Sequence, residues 1–331
     1  MYGWGGSTDG WKGKSRYDYG SARARYDKLA ADVSGPRVYS FRTEPDMKLV
    51  DPLGKIMTSD SENPIIIAVD VTGSMAKWPG EMFDRLPLLY QTLAKYREDL
   101  EIVFAAIGDA TCDRYPLQVN DFAKGTDLEA KLKALGCEGG GGGHITESYE
   151  LFGYFLQEHC RITKAKSPFL LIYGDETFYE QVDPRQVKHY IGDELQGPLD
   201  SREMWKNLMQ RFNLYFLHKP YGNNDSRETT EKIGGLWKSV LGEQRVIELP
   251  YEIETEDKKI MPGSWRAVDI GMGLIAKHWG EYKDFTKSLG ARHDDDDVKD
   301  AVHKSLRHID DNPLKASVMP KAKSKATKSL L

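Results

Sequence analysis

The sequence predicts an α/β protein with a doubly wound, mostly parallel central sheet and extensions at both ends. Three observations predict it. Ile65-Ile66-Ile67-Ala68-Val69 is a continuous apolar run dominated by β-branched residues, the pattern of a strand buried on both faces. Two further runs, Leu100 to Ile107 and Phe169 to Tyr173, have the same character. Segments with helical spacing separate them, and strands alternating with helices from about 61 to 289 are the mark of parallel pairing through crossovers.

The elements follow in order. Residues 1–60 read as an arm, extended or folding on a surface; its first 28 residues are rich in Gly, Tyr, Lys and Arg, and Ser21 to Val33 fits a short helix. The first strand follows Pro64. A helix over about Glu81 to Arg97 places Phe83, Leu86, Leu89, Tyr90 and Leu93 on its apolar positions. After the strand Leu100 to Ile107 come a short helix, Leu128 to Leu135, and a loop of five glycines, Gly139 to Gly143. Ser148 to Cys160 reads as a helix with Tyr149, Phe152, Phe155 and Leu156 on one face, and Phe169 to Tyr173 is the third core strand. Residues 176–211 read as an insertion with helices at Pro184–Tyr190 and Ser201–Arg211. Phe212 to Leu217 is a fourth strand, Glu228 to Leu241 a helix, Arg245 to Leu249 a fifth strand, and Val268 to Leu289 a closing helix. Beyond it, residues 290–331 hold a charged run from His293 to Asp297, a helix over Asp300 to Ile309, and a tail with five lysines and no acid from Lys315 onward.

Composition narrows the function classes. Of 331 residues, 40% are hydrophobic and 29% charged, enough for a sizeable core, and the net charge of −5 argues against wholesale nucleic-acid binding. Contact with nucleic acid is left to the arm, where Tyr17, Tyr19 and Tyr26 mix with Arg16, Arg23 and Arg25, or to the lysine tail; the bland readings are a flexible lead and a solubilising linker. The three cysteines, Cys112, Cys137 and Cys160, form no CxxC pair or disulfide framework, which points to a reducing, cytoplasmic compartment. No signal-type segment opens the chain, and no apolar run reaches the ~20 residues of a membrane helix.

The chemistry concentrates in Asp70-Val71-Thr72-Gly73-Ser74, at the end of the first buried strand. In open α/β sheets ligands bind outside the carboxyl ends of the strands. The alternating spacing aims one carboxylate and two hydroxyls into one small space, an oxygen-only donor set suited to Mg²⁺, Mn²⁺ or Ca²⁺ and not to zinc. The bland reading is a strand followed by ordinary turn and cap residues. Asp109 also ends a strand, where it serves as a loop cap or stands behind a ligand. The glycine run lacks the G-x-x-x-x-G-K-[ST] pattern of a phosphate loop.

This segment resembles the metal-ion-dependent adhesion site of von Willebrand factor A domains, whose D-x-S-x-S signature has D-x-T-G-S as a frequent intracellular variant. The resemblance covers roughly residues 61–289. It implies a Rossmann-like fold and two further loops at the site. Gly139–Gly143 followed by His144-Ile145-Thr146-Glu147 is similar to the second loop, and Phe169 to Asp175 to the third. The implied metal ligands are Asp70, Thr72, Ser74, Thr146 and Asp175. His144, Asp109 and Glu176 are accessory candidates: His144 stands where the family usually has the first Thr of T-x-T, and Glu176 where Gly is usual. The implied cofactor is a divalent cation, Mg²⁺ first, with Mn²⁺ or Ca²⁺ as alternatives. The implied function is non-catalytic: the ion keeps one position open for an Asp or Glu of a protein partner, within an intracellular assembly of bacterial or phage type, commonly beside a AAA+ ATPase.

Two rival readings accompany it. The same motif resembles the D-x-T-G-T segment of haloacid dehalogenase-type phosphotransferases, in which Asp70 is a nucleophile. Against that, the acid expected two residues later is Thr72, and Lys188, Glu176 and Glu180 are poorly placed for the remaining roles. The other rival is a structural or assembly protein with a degenerate metal site.

Overall fold

The computed structural model describes residues 39–138, 144–221 and 226–311. The glycine run, the aromatic-basic arm and the lysine tail lie outside the described residues. The chain begins with α1 (Met47–Val50), β1 (Met57–Thr58) and β2 (Ile65–Asp70). Next come α2 (Trp78–Tyr96), β3 (Ile102–Ile107), β4 (Leu117–Val119) and α3 (Asp127–Ala134). The middle holds β5 (Thr146–Glu147), α4 (Tyr149–His159), β6 (Cys160–Arg161), β7 (Phe169–Gly174), β8 (Thr177–Phe178) and β9 (Gln181–Val182). Then follow α5 (Pro184–Gln186), which runs into a π-helical turn, β10 (Leu199–Asp200), α6 (Ser201–Arg211), β11 (Asn213–His218) and α7 (Arg227–Leu241). Last are β12 (Val246–Glu248), the pair β13 (Glu252–Glu254) and β14 (Ile260–Pro262), α8 (Ala267–Trp279), α9 (Tyr282–Arg292) and α10 (Asp296–Leu306).

One six-stranded sheet, ordered β12-β11-β7-β2-β3-β4, runs through the centre. β2 pairs in parallel with β3 and β7, and β7 with β11, so β2 is an inner strand. Its side chains alternate between two cores: Ile65, Ile67 and Val69 pack with α2, α8 and α9, while Ile66 and Ala68 pack with α4, α6 and α7. Both faces being covered, every residue of β2 is buried, and each aliphatic side chain contributes on the order of 1.5–3 kcal/mol.

The expectation of a doubly wound, mostly parallel sheet is corrected here. The architecture is a mixed α/β one. β4 joins β3 antiparallel, and four two-stranded sheets stand outside the main one: β1–β6, β5–β8, β9–β10 and β13–β14. The reason at β4 is length, because the turn between Ile107 and Leu117 is shorter than the dozen or more residues a parallel crossover needs. The closing helix is also corrected: Gly280 takes a left-handed φ of 74° and splits it into α8 and α9. The helix placed at Asp300 to Ile309 begins earlier, at Asp296, where Asp295 caps it by accepting from the Asp297 and Val298 N–H groups. Val302, Leu306 and Ile309 join the core beneath α8, so this stretch is part of the packed body.

Candidate functional site

Asp70 closes β2 at the centre of the sheet. Its Oδ1 accepts from the Thr72 backbone N–H and from Thr72 Oγ1, both at 2.8 Å, and its Oδ2 accepts from Tyr149 Oη at 2.8 Å. Gly73 turns the chain with φ 38°, and a single 3-10 turn, Gly73–Met75, presents Ser74. Asp175 follows the neighbouring strand β7. Ser74 Oγ donates directly to Asp175 Oδ2, so two strand ends 101 residues apart in sequence converge. Lys219 follows β11, the next strand over. Its Nζ donates to Asp175 Oδ2 at 2.8 Å and to Ser74 Oγ at 2.9 Å.

Glu147, on β5, supplies a fourth element. Its Oε1 lies 2.9 Å from Thr72 Oγ1, which also faces Asp70. One hydroxyl proton cannot serve both acceptors. Burial first, and the Asp70 charge second, push the Glu147 carboxyl up to about 10. Thr72 Oγ1 thus stands between two carboxyl groups, Glu147 and Asp70. Burial, then the Asp175 charge, raise Asp70 itself to about 7, against the pull of its hydrogen bonds from Thr72 and Tyr149. Burial with the Asp70 and Asp175 charges raises Glu176 to about 8. Oε2 of Glu147 and Oε2 of Glu176 are both buried and receive no hydrogen bond from the described residues. The site thus gathers four carboxyl groups, with one ammonium, that of Lys219, on Asp175. That imbalance, with hard oxygen donors and two buried oxygens lacking a donor, fits a bound cation. Among the described residues no group of three or more His, Cys, Asp or Glu side chains is arranged to hold a metal. A donor set of two carboxylates and a hydroxyl is of a different kind.

The sequence candidates divide between two places. Asp70, Thr72, Ser74 and Asp175 meet at the strand ends, with Glu176 beside them. Thr146 turns away: its hydroxyl pairs with Thr177 Oγ1 at 2.9 Å, tying β5 to β8. Asp109 and His144 form a separate polar cluster. Asp109 is fully buried and accepts from Thr111 and Tyr179, while His144 Nε2 stands 3.1 Å from its Oδ2. Within that cluster burial and the Asp109 charge push the Cys112 thiol up to about 12. The three cysteines carry no disulfide.

Sequence reasoning missed Lys219, Tyr149 and Glu147 as site residues. Lys219 had a readable signal, its position directly after a core strand. Tyr149 looked like one more apolar position on α4, and nothing local separates it from Phe152 or Phe155. Glu147 lay in the second-loop motif but was eclipsed by Thr146.

No family model matches the chain, and no curated protein matches it. Among solved structures it is similar to the pilus adhesin SpaC from Lactobacillus rhamnosus GG in its open conformation, with 11% identity and a TM-score of 0.43. That match covers 70% of this chain and 31% of the adhesin, so this chain spans less than a third of the adhesin's length. A likeness of that size carries no argument about function.

Proposed function

We propose that this chain is a non-catalytic, metal-dependent protein-binding module. Asp70, Ser74 and Asp175 hold a divalent cation, Mg²⁺ in the first instance. An Asp or Glu of the partner completes its shell, because a hard cation short of anionic ligands prefers a carboxylate to water. Thr72, backed by Glu147, and Tyr149 orient Asp70. The observation that carries the reading is the convergence of Ser74 and Asp175 on one point, where the Lys219 ammonium already lodges against both. The resemblance of Asp70-Val71-Thr72-Gly73-Ser74 to the adhesion site of von Willebrand factor A domains supports it. We place the partner in a larger assembly of the AAA+-associated kind, in a reducing compartment where three free thiols persist. Among the described residues, no helix is long and apolar enough to cross a membrane.

Calorimetric titration of Mg²⁺ and Mn²⁺ into the wild type and Asp70→Ala, with thermal melts, tests the proposal. The wild type is expected to give saturable heat and a raised melting temperature, with no response in Asp70→Ala, since a ligand bound only by the folded state stabilises it. A wild type that responds to no divalent ion overturns it.

Lys219 also bears on the phosphotransfer reading, as a cation beside the motif that could face a phosphoryl group. Thr72 counts against that reading: it stands two residues after Asp70, where that chemistry expects a second acid. Incubation with acetyl phosphate, read by intact mass, separates the two. A covalent phosphoryl adduct lost in Asp70→Asn would favour the enzyme.

A further inference from the structure

Lys219 stands where a bound cation is needed. Its backbone N–H donates to Gly174 O at 2.9 Å, which fixes the end of β11 against the end of β7. Its ammonium then reaches Asp175 Oδ2 at 2.8 Å and Ser74 Oγ at 2.9 Å, two of the three groups assigned to the ion. Like charges competing for the same two oxygens repel strongly at this range, so the ammonium and a divalent ion exclude one another.

We propose that Lys219 is a built-in competitor for the divalent ion: its ammonium neutralises the Ser74–Asp175 pair in the ion-free protein and has to leave both for the ion to bind. This inference rests on the metal-dependent reading above. The displaced ammonium is assigned to Glu81, on the first turn of α2. Burial raises the Glu81 carboxyl, while the Arg85 charge, a Ser264 hydrogen bond and then the Lys219 charge act to lower it; its buried Oε2 has no hydrogen-bond partner among the described residues. Ion binding is then an exchange. The resting affinity is low, and the arriving partner carboxylate tips the balance toward the ion. Lys219 sets the threshold at which the module engages.

Mn²⁺ titrated by calorimetry into the wild type, Lys219→Met, Lys219→Arg and Asp70→Ala tests this, with melts in chelator and in Mn²⁺. Lys219→Met is expected to bind Mn²⁺ roughly tenfold or more tightly than the wild type, the scale of coupling between competing ligands. Lys219→Arg, which keeps the charge, binds no more tightly. In chelator Lys219→Met melts below the wild type, because Asp175 has lost its counter-charge, and its gain on adding Mn²⁺ is the larger. Equal or weaker affinity in Lys219→Met, with Asp70→Ala still silent, overturns the competitor role and leaves the ion site standing. No saturable heat in either the wild type or Lys219→Met overturns both.

Discussion

Asp70 and Asp269 are both fully buried, yet their surroundings are opposite. Asp269, in the first turn of α8, accepts from Arg266 Nη1 at 2.9 Å and from Arg292 Nη2 at 3.0 Å. Burial alone would raise its carboxyl, but the His293 hydrogen bond and the guanidinium charges of Arg292, Arg266 and Arg85 outweigh burial and hold it well below the usual carboxylate range. Asp70 has neutral hydrogen-bond donors and acidic neighbours, and it is raised. Burial sets the stakes in both places, and the charge of the neighbours decides the sign. A balanced buried carboxylate is a structural tie. An unbalanced one has no counter-charge among its hydrogen-bond partners.

The largest expected effect breaks the balanced side. Asp269→Ala leaves two arginines buried without their partner, and should cost about 3–5 kcal/mol in urea denaturation. Asp70→Ala in chelator should cost far less, because it relieves carboxylate repulsion. If the two variants lose equal stability, the contrast between the sites is wrong.

Next comes Gly174→Ala. A Cβ there would lie 2.0 Å from Tyr149 Oη, so the ring must shift away from Asp70. A loss of about 1–3 kcal/mol in the same assay is expected for such overpacking. Gly290→Ala is the control: it lies in α9 with nothing within 4 Å of the added carbon, and should be neutral or slightly stabilising.

The pH dependence sharpens the comparison further. Asp70 binds its proton more tightly folded, at about 7, than at its ordinary 3.8. Glu176 and Glu147 do likewise, at about 8 and about 10 against 4.5. The folded state therefore holds more protons than the unfolded one, and in chelator stability falls as pH climbs from the ordinary carboxylate range toward these values. Asp269 has the opposite sign. Its contribution is complete above its ordinary 3.8 and is lost as pH falls below it. Melting temperature against pH should show both limbs. Asp70→Asn should make only the alkaline limb shallower, since Glu176 and Glu147 remain, and Asp269→Asn should flatten only the acid one; a single variant that changed both would show the sites to be coupled.

The smallest effect concerns Thr146. Thr146→Val breaks its bond to Thr177 and should cost about 1 kcal/mol. Mn²⁺ affinity should stay unchanged, because this hydroxyl faces β8. A large drop in affinity would return Thr146 to the ligand set.

Much of the site was legible locally. The apolar run into Asp70 marks a buried strand end, D-x-T-G-S follows it, and Phe169 to Asp175 repeats the arrangement. The antiparallel β4 was not legible, because three residues show no periodicity to read. The small sheets were hidden for the same reason, most of them being pairs of two-residue strands. Glu147 and Lys219 stood at readable places, but what they pair with was not legible, because their partners lie 75 and 44 residues away in sequence.

The sequence by itself determined where strands end and which oxygens follow, because side-chain alternation and turn chemistry act over a few residues. Only the tertiary structure decided the charge balance at each buried aspartate. It placed Asp175, Glu147 and Glu176 near Asp70, with Lys219 on Asp175, and two arginines beside Asp269. Coulomb interactions depend on distance in space, and here that distance is set by strand order and helix packing.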